Sequence, residues 1–200
     1  MDKKKWIALP IFIIGIVICL GAIIPYTISQ YQSRKLIKEL ENYNETEIVE
    51  DNFEINIGES IEDENGSNVD VNNPRAIAIL QIDTIKLKLP VLEGATYENL
   101  NHGVGHYERT AKPGGKGNCV LAGHNYGRCP TFKNLHKLSI GDEVKLIYKG
   151  NTYLYIVNEK SVIYPDDVEV LDDREGINEL TLITCTNEGK QRLITKCILQ

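Results

Sequence analysis

The sequence predicts a mainly β fold, a sandwich or a closed barrel, over its carboxy-terminal part. Three observations carry this expectation. About eight short strand-like runs fall within roughly 125 residues, turns containing Gly or Pro separate them, and no long helical period interrupts them. A chain of 200 residues allows one domain of ordinary size, with a segment left over.

The leftover lies at the amino terminus. Lys3, Lys4 and Lys5 precede an apolar run from Trp6 to Tyr26, and no charge follows until Arg34. At about 1.5 Å per residue that run spans roughly 31 Å as a helix, enough to cross a hydrocarbon core. A cleaved signal peptide shares the basic start and apolar core, but this core is long for one and no small-residue cleavage pattern follows it. The expectation is a basic cytoplasmic start over residues 1–5 and an uncleaved transmembrane anchor over 6–27. The lysines favour a cytoplasmic amino terminus, so the rest of a single-pass chain lies outside the cell.

Residues 28–74 read as an acidic, extended spacer. Tyr31 to Asn42 carries Leu36, Ile37 and Leu40 and continues as a short helix. From Glu41 to Asp70 there are 11 Asp and Glu and no Lys or Arg. High charge with scattered apolar residues favours disorder and extension. The run Phe53-Glu54-Ile55-Asn56-Ile57 alternates as a strand would, which leaves a packed arm as the other reading. The overall net charge of −6 comes from this stretch. From Arg75 onward 15 acidic residues face 16 basic ones. That near-neutral balance offers no basic stripe for nucleic acid.

Residues 75–200 carry the strands. Ala76 to Ile82 and Ile85 to Val91 are joined by Asp83-Thr84, and the second alternates apolar residues with lysine, as a half-exposed strand does. Ala95 to Asn101 is a short helix or turn, and Gly103 to Tyr107 a short strand. Lys112 to Gly117 is a loop. Asn118 to His124 reads as a buried strand ending on histidine. Phe132 to Leu138 forms a helical turn. Glu143 to Tyr148 and Thr152 to Val157 pair across Lys149-Gly150-Asn151. Ser161 to Asn178 is mostly loop. Leu180 to Cys185, a turn over Thr186 to Gly189, and Arg192 to Leu199 complete the set.

Five cysteines offer candidate nucleophiles. Cysteine is among the most buried residue types, so packing is the first reading of each. Cys19 lies in the expected anchor, and Cys119 and Cys197 lie inside apolar strands. Cys197 is also out of phase with Arg192, so the two face opposite ways on a regular strand. Cys129 lies in a loop and is expected to be accessible. Cys185 alone ends a strand with an arginine returning across a turn. Nucleophilic catalysis by cysteine needs a thiolate, or a base that makes one, together with stabilisation of the oxyanion. Among the histidines, His102, His106 and His136 read as surface or structural residues. His124 ends a strand after Ala122 and Gly123, small residues that admit another chain segment. If the strand of Cys119 lies beside that of Cys185, their ends place His124 and Cys185 in one groove. Arg192, always charged and with fixed donors, suits an oxyanion or a substrate carbonyl.

Leu121-Ala122-Gly123-His124-Asn125, then Thr181-Leu182-Ile183-Thr184-Cys185, then Arg192, resemble the three signatures of the sortases, cysteine transpeptidases of Gram-positive surfaces. The resemblance covers residues 75–200, and the order behind an amino-terminal anchor matches too. It implies a closed eight-stranded β-barrel with short helices. It also implies a two-step acyl transfer needing no cofactor. Cys185 would attack the Thr–Gly bond of an LPXTG-like sorting signal and form a thioester. His124 would protonate the departing amine and Arg192 would hold the carbonyl oxygen or the signal's backbone. An amine of a cell-wall precursor or another protein would release the acyl chain. Ala122, Ile183 and Thr184 match motif positions that line the family's signal groove. No acidic-aromatic lid precedes the barrel, and the segment between Tyr148 and Leu180 has no room for a long helix. These departures leave a class D-like or a class A-like member, with class D the lean. Calcium at Asp166, Asp167, Glu169 and acids near Glu108 is a further reading, since hard oxygen ligands are available. The rival functions are a membrane-tethered cysteine peptidase, a non-catalytic binding module on a stalk, and a zinc site from Cys119, His124, Cys129 and Cys185.

Overall fold

A computed structural model of the chain describes residues 15–17, 21, 23, 24, 26–42, 76–127, 129 and 131–200. Most of the expected anchor, Cys19 with it, lies outside these residues, as does the acidic stretch 43–74. Among the described residues no helix is long and apolar enough to cross a membrane.

Eight strands close into a barrel: β1 (Ala76–Ile82), β2 (Leu87–Glu93), β3 (Val104–His106), β4 (Asn118–Gly123), β5 (Glu143–Tyr148), β6 (Asn151–Ile163), β7 (Glu179–Thr186) and β8 (Gln191–Leu199). Around the barrel they run β1-β2-β3-β4-β7-β8-β6-β5, and β5 pairs back onto β1. Two neighbouring pairs are parallel, β2 with β3 and β4 with β7; the others are antiparallel. Closure removes the exposed edges that a sheet of this size would otherwise carry.

Local chemistry explains the turns. In the β5–β6 hairpin Tyr148 pairs with Asn151, so the loop is Lys149-Gly150, and both residues have positive φ, at 48° and 72°. Left-handed residues at both central positions match the twist of the flanking strands. A 3₁₀ turn, Asp83–Ile85, with Lys86 left-handed after it, joins β1 to β2 and delays the start of β2 to Leu87. A second 3₁₀ turn, Leu135–Lys137, sits where a helical turn was expected.

β6 corrects the expectation of a loop from Ser161. It runs 13 residues to Ile163, with a bulge between Val157 and Glu159. The reason is its partner. β8 is nine residues long, and its first residues pair with Ser161, Val162 and Ile163. Arg192 therefore stands between Ile163 on one side and Cys185 on the other.

The core fills the barrel with Leu80, Leu121, Phe132, Leu146, Tyr155 and Leu182 among others, all buried. Strand alternation puts every second residue of β4 and β7 on the outer face. There Val120, Ile183 and Ile194 form a second cluster, covered by Val170 and Leu171 of the 164–178 segment.

Residues 26–42 are helical (α1), and this helix is docked on the barrel. Leu36 is buried with Ala76 and Leu92, with Leu40 beside them. Lys88 Nζ reaches Glu41 Oε1 at 2.7 Å. The residues at the start of the expected spacer are thus part of the packed body.

Candidate active site

β7 ends at Thr186, and the turn Asn187-Glu188-Gly189 is left-handed throughout, with φ of 47°, 56° and 87°. This tight reversal sets the register of β7 on β8, in which Cys185 lies directly opposite Arg192. Residues opposite each other on antiparallel strands share a face, with Cβ atoms about 4.5–5.5 Å apart. One Nη of Arg192 donates to the carbonyls of Gly189 at 2.9 Å and Gln191 at 3.1 Å. Its Nε and other Nη make no hydrogen bond among the described residues.

The parallel β4–β7 ladder pairs Ala122 with Ile183 and Gly123 with Thr184. Continued by one step, the same register would set His124 beside Cys185. Asn125 clamps this junction, its Nδ2 donating to the carbonyl of Cys185 at 2.7 Å. The peptide N–H of Phe132 donates to the carbonyl of His124 at 2.8 Å. Tyr97 stands edge-to-face against the imidazole, with ring centroids 5.9 Å apart and planes at 63°. Burial lowers the His124 imidazole below its ordinary value.

The other thiols are placed differently. Cys119 and Cys197 are in the barrel core, and burial pushes both up to about 12, far from any thiolate at neutral pH. Cys129 was expected to be accessible and is instead buried, because the loop that carries it folds back over the end of β4. Cys185 is the one half-exposed thiol among the described residues. Of the other histidines, His106 is wholly buried between Glu93 Oε1 and the Ala111 carbonyl, each at 2.9 Å, and so is structural. His136 is exposed on the far 3₁₀ turn.

Ala122 and Ile183, each 8% exposed, share the outer face with His124 and Cys185. Thr184 does not. It is out of phase with Cys185, 2% exposed, and its hydroxyl donates to the Gly123 carbonyl at 2.7 Å. Its role is to hold β4 against β7 at the height of the site. Among the described residues, no three His, Cys, Asp or Glu side chains gather to hold a metal ion. Neither the calcium set around Asp166, Asp167, Glu169 and Glu108 nor the zinc set is assembled.

Gly123 shows why small residues precede His124. A Cβ there would come within 2.6 Å of Thr131 Oγ1 and 2.7 Å of the Phe132 ring. Phe132 is fully buried in the core and has nowhere to retreat. Gly123→Ala is expected to destabilise the fold by about 1–3 kcal/mol, as overpacking does, measured by urea unfolding. The same change should displace His124, which follows it directly.

Residues 80–200 match the sortase domain family. The chain belongs to the sortase family. It is 35% identical over 122 residues to Sortase A of Bacillus anthracis, covering 60% of this chain and 57% of that protein. To Sortase D of Bacillus subtilis (strain 168) it is 32% identical over 111 residues, covering 56% of this chain and 54% of the relative. The chain thus spans little more than half the length of these curated relatives. A solved Clostridium perfringens Sortase D5 transpeptidase superposes with a TM-score of 0.65 at 32% identity, over 87% of this chain and 99% of that one. The closed eight-stranded barrel is a sortase barrel, as the motifs implied. Sequence reasoning did not single out Tyr97 or Asn125 for a role at the site. Asn125 could have been found, since it follows His124 directly in the motif. Tyr97 had no signal beyond its place in a short helical turn.

Proposed function

We propose that this sortase is a membrane-anchored cysteine transpeptidase that cleaves an LPXTG-like sorting signal between Thr and Gly and passes the acyl chain to an amine. The observation that carries the reading is the pairing of Cys185 with Arg192, one strand from His124. Cys185 Sγ attacks the threonine carbonyl, with Arg192 donating from its unengaged nitrogens to the developing oxyanion. The C–N bond breaks, His124 gives its proton to the departing glycine amine, and the acyl group remains as a thioester. The acceptor amine then attacks that thioester, losing a proton to the imidazole as the thiolate leaves. Ala122 and Ile183 form the floor beside the reacting carbonyl. The apolar run over 6–27 anchors the protein with its amino terminus in the cytoplasm. The barrel then faces the outside, where surface proteins bearing sorting signals and a cell-wall precursor amine meet it. Relatives named as Sortase A and as Sortase D both support the family reading, so either subclass is consistent with it.

The lowered imidazole has a kinetic consequence. The active form needs a thiolate and an imidazolium, and its population falls away below the lower of the two titrations. The acid limb of kcat/KM is therefore expected below the ordinary imidazole value of about 6.5. The test uses the full chain in detergent micelles with an LPXTG-type peptide and a small amine. Amide product with that acid limb supports the proposal. Free acid alone, even at high amine, would make the protein a tethered peptidase. Binding without cleavage, unaffected by Cys185→Ala, would make it a stalked binding module.

A further inference from the structure

α1 reaches the neighbourhood of the site through two serines. Ser29, Ser33, Leu36 and Ile37 are all buried, and their spacing puts them on one face of the helix. A serine inside a helix commonly bonds its own preceding turn or faces solvent. Here Ser29 Oγ donates across to the Asn101 carbonyl at 2.7 Å, and the Ser33 hydroxyl donates to the His102 carbonyl. Both acceptors lie at the carboxy-terminal end of the short helix α2 (Tyr97–Leu100). Asn101 Nδ2 in turn donates to the Tyr97 carbonyl at 3.1 Å. Four residues cannot sustain a helix by themselves. α2 is held by these tethers together with Asn99, whose Nδ2 donates to the carbonyls of Glu93 at 2.8 Å and Gly94 at 3.0 Å, and Tyr97 at its first residue carries the ring against His124. Tyr97 is 78% exposed, so the core does not require it.

We propose that Tyr97 is a positioning residue for His124, and that α1 holds Tyr97 in place through Ser29 and Ser33. This rests on the transpeptidase reading for its catalytic meaning. An edge-to-face ring restricts rotation of the imidazole and keeps water from one of its faces. The helix that leads out of the proposed anchor thereby bears on the orientation of the acid–base group. Burial is the cause of the lowered His124 value. Removing the ring that covers it should therefore be visible in its titration.

The test compares the full chain with Tyr97→Ala, Tyr97→Phe and the Ser29→Ala/Ser33→Ala double variant in micelles. Two quantities are read: the His124 titration by NMR, assigned by its loss in His124→Gln, and kcat and KM for transfer. Tyr97→Ala is expected to move the His124 midpoint up toward the ordinary imidazole value. It should also lower kcat about five- to tenfold, with a smaller change in KM. Tyr97→Phe, which keeps the ring, should match the parent, and the serine double variant should move both quantities in the Tyr97→Ala direction by less. An unchanged His124 titration in Tyr97→Ala overturns the proposal even if activity falls, because the exposed ring would then be serving the substrate. A Tyr97→Phe variant as impaired as Tyr97→Ala overturns it as well. Parent-like behaviour of the double variant removes α1 from it. If the parent itself transfers nothing, the functional reading fails, while the titration still decides the positioning of His124.

Discussion

Cys185→Ala is expected to reduce amide formation by on the order of 10⁴-fold or more while leaving the thermal midpoint nearly unchanged. The two halves of this result have separate causes. The catalytic half follows from the absence of a substitute: Cys119 and Cys197 are locked in the core with thiols raised to about 12, and Cys129 is buried. None of these thiols faces His124 or Arg192 from the outer side of β7. The stability half follows from position. Cys185 is half exposed at the end of β7, and its backbone carbonyl, not its thiol, receives Asn125. Cys197→Ala provides the contrast. It should cost about 1–2 kcal/mol by leaving a small cavity and should keep transfer activity. Rates with an LPXTG-type peptide and amine, together with unfolding curves, check both variants. Transfer surviving in Cys185→Ala would remove the thioester from the mechanism.

The second large effect is at Arg192. Arg192→Lys is expected to lower kcat by about 10²- to 10³-fold with a smaller change in KM, the loss associated with an oxyanion donor. Charge is conserved in this substitution, so geometry is what it tests. The guanidinium is braced by the Gly189 and Gln191 carbonyls through one nitrogen, which leaves the others aimed by a rigid plane. A lysine has one ammonium on a flexible stem and cannot be braced and donate to substrate in the same fixed fork. If Arg192→Lys stayed within about threefold of the parent, the residue would be acting as a distant charge only.

The Cys185–Arg192 pair was within reach of the sequence because it is local. Two alternating runs separated by a Gly-containing turn can pair in few registers, and the turn chemistry selects one. The hairpin at Lys149-Gly150 was legible for the same reason. His124 is different in kind. It meets Cys185 through a parallel pairing whose strands are about 60 residues apart, and no local pattern specifies which strands become neighbours in a barrel. The motif order supplied that link by resemblance.

Four features escaped the sequence reading. Cys129 looked accessible because loops usually are, yet the Thr131–Phe132 segment packs onto Gly123 and draws it inward. Thr184 was assigned to the groove by its motif position, and in the structure its side chain is buried with the hydroxyl on the Gly123 carbonyl. β6 was expected to give way to a loop at Ser161, and its length is set by β8. Ser29 and Ser33 carried no signal in the sequence, because the carbonyls they bond, at the end of α2, lie far along the chain.

By itself, then, the amino-acid sequence determined most of the strands and turns and the sortase signatures, which carry the three candidate catalytic residues. All of these are written in alternation, turn chemistry and short motifs. Tertiary structure decided what stands beside His124. Barrel closure sets β4 against β7, and the docking of α1 on α2 places Tyr97 on the imidazole. Such contacts join residues far apart in the chain, and their energy comes from faces that meet only once the barrel has closed.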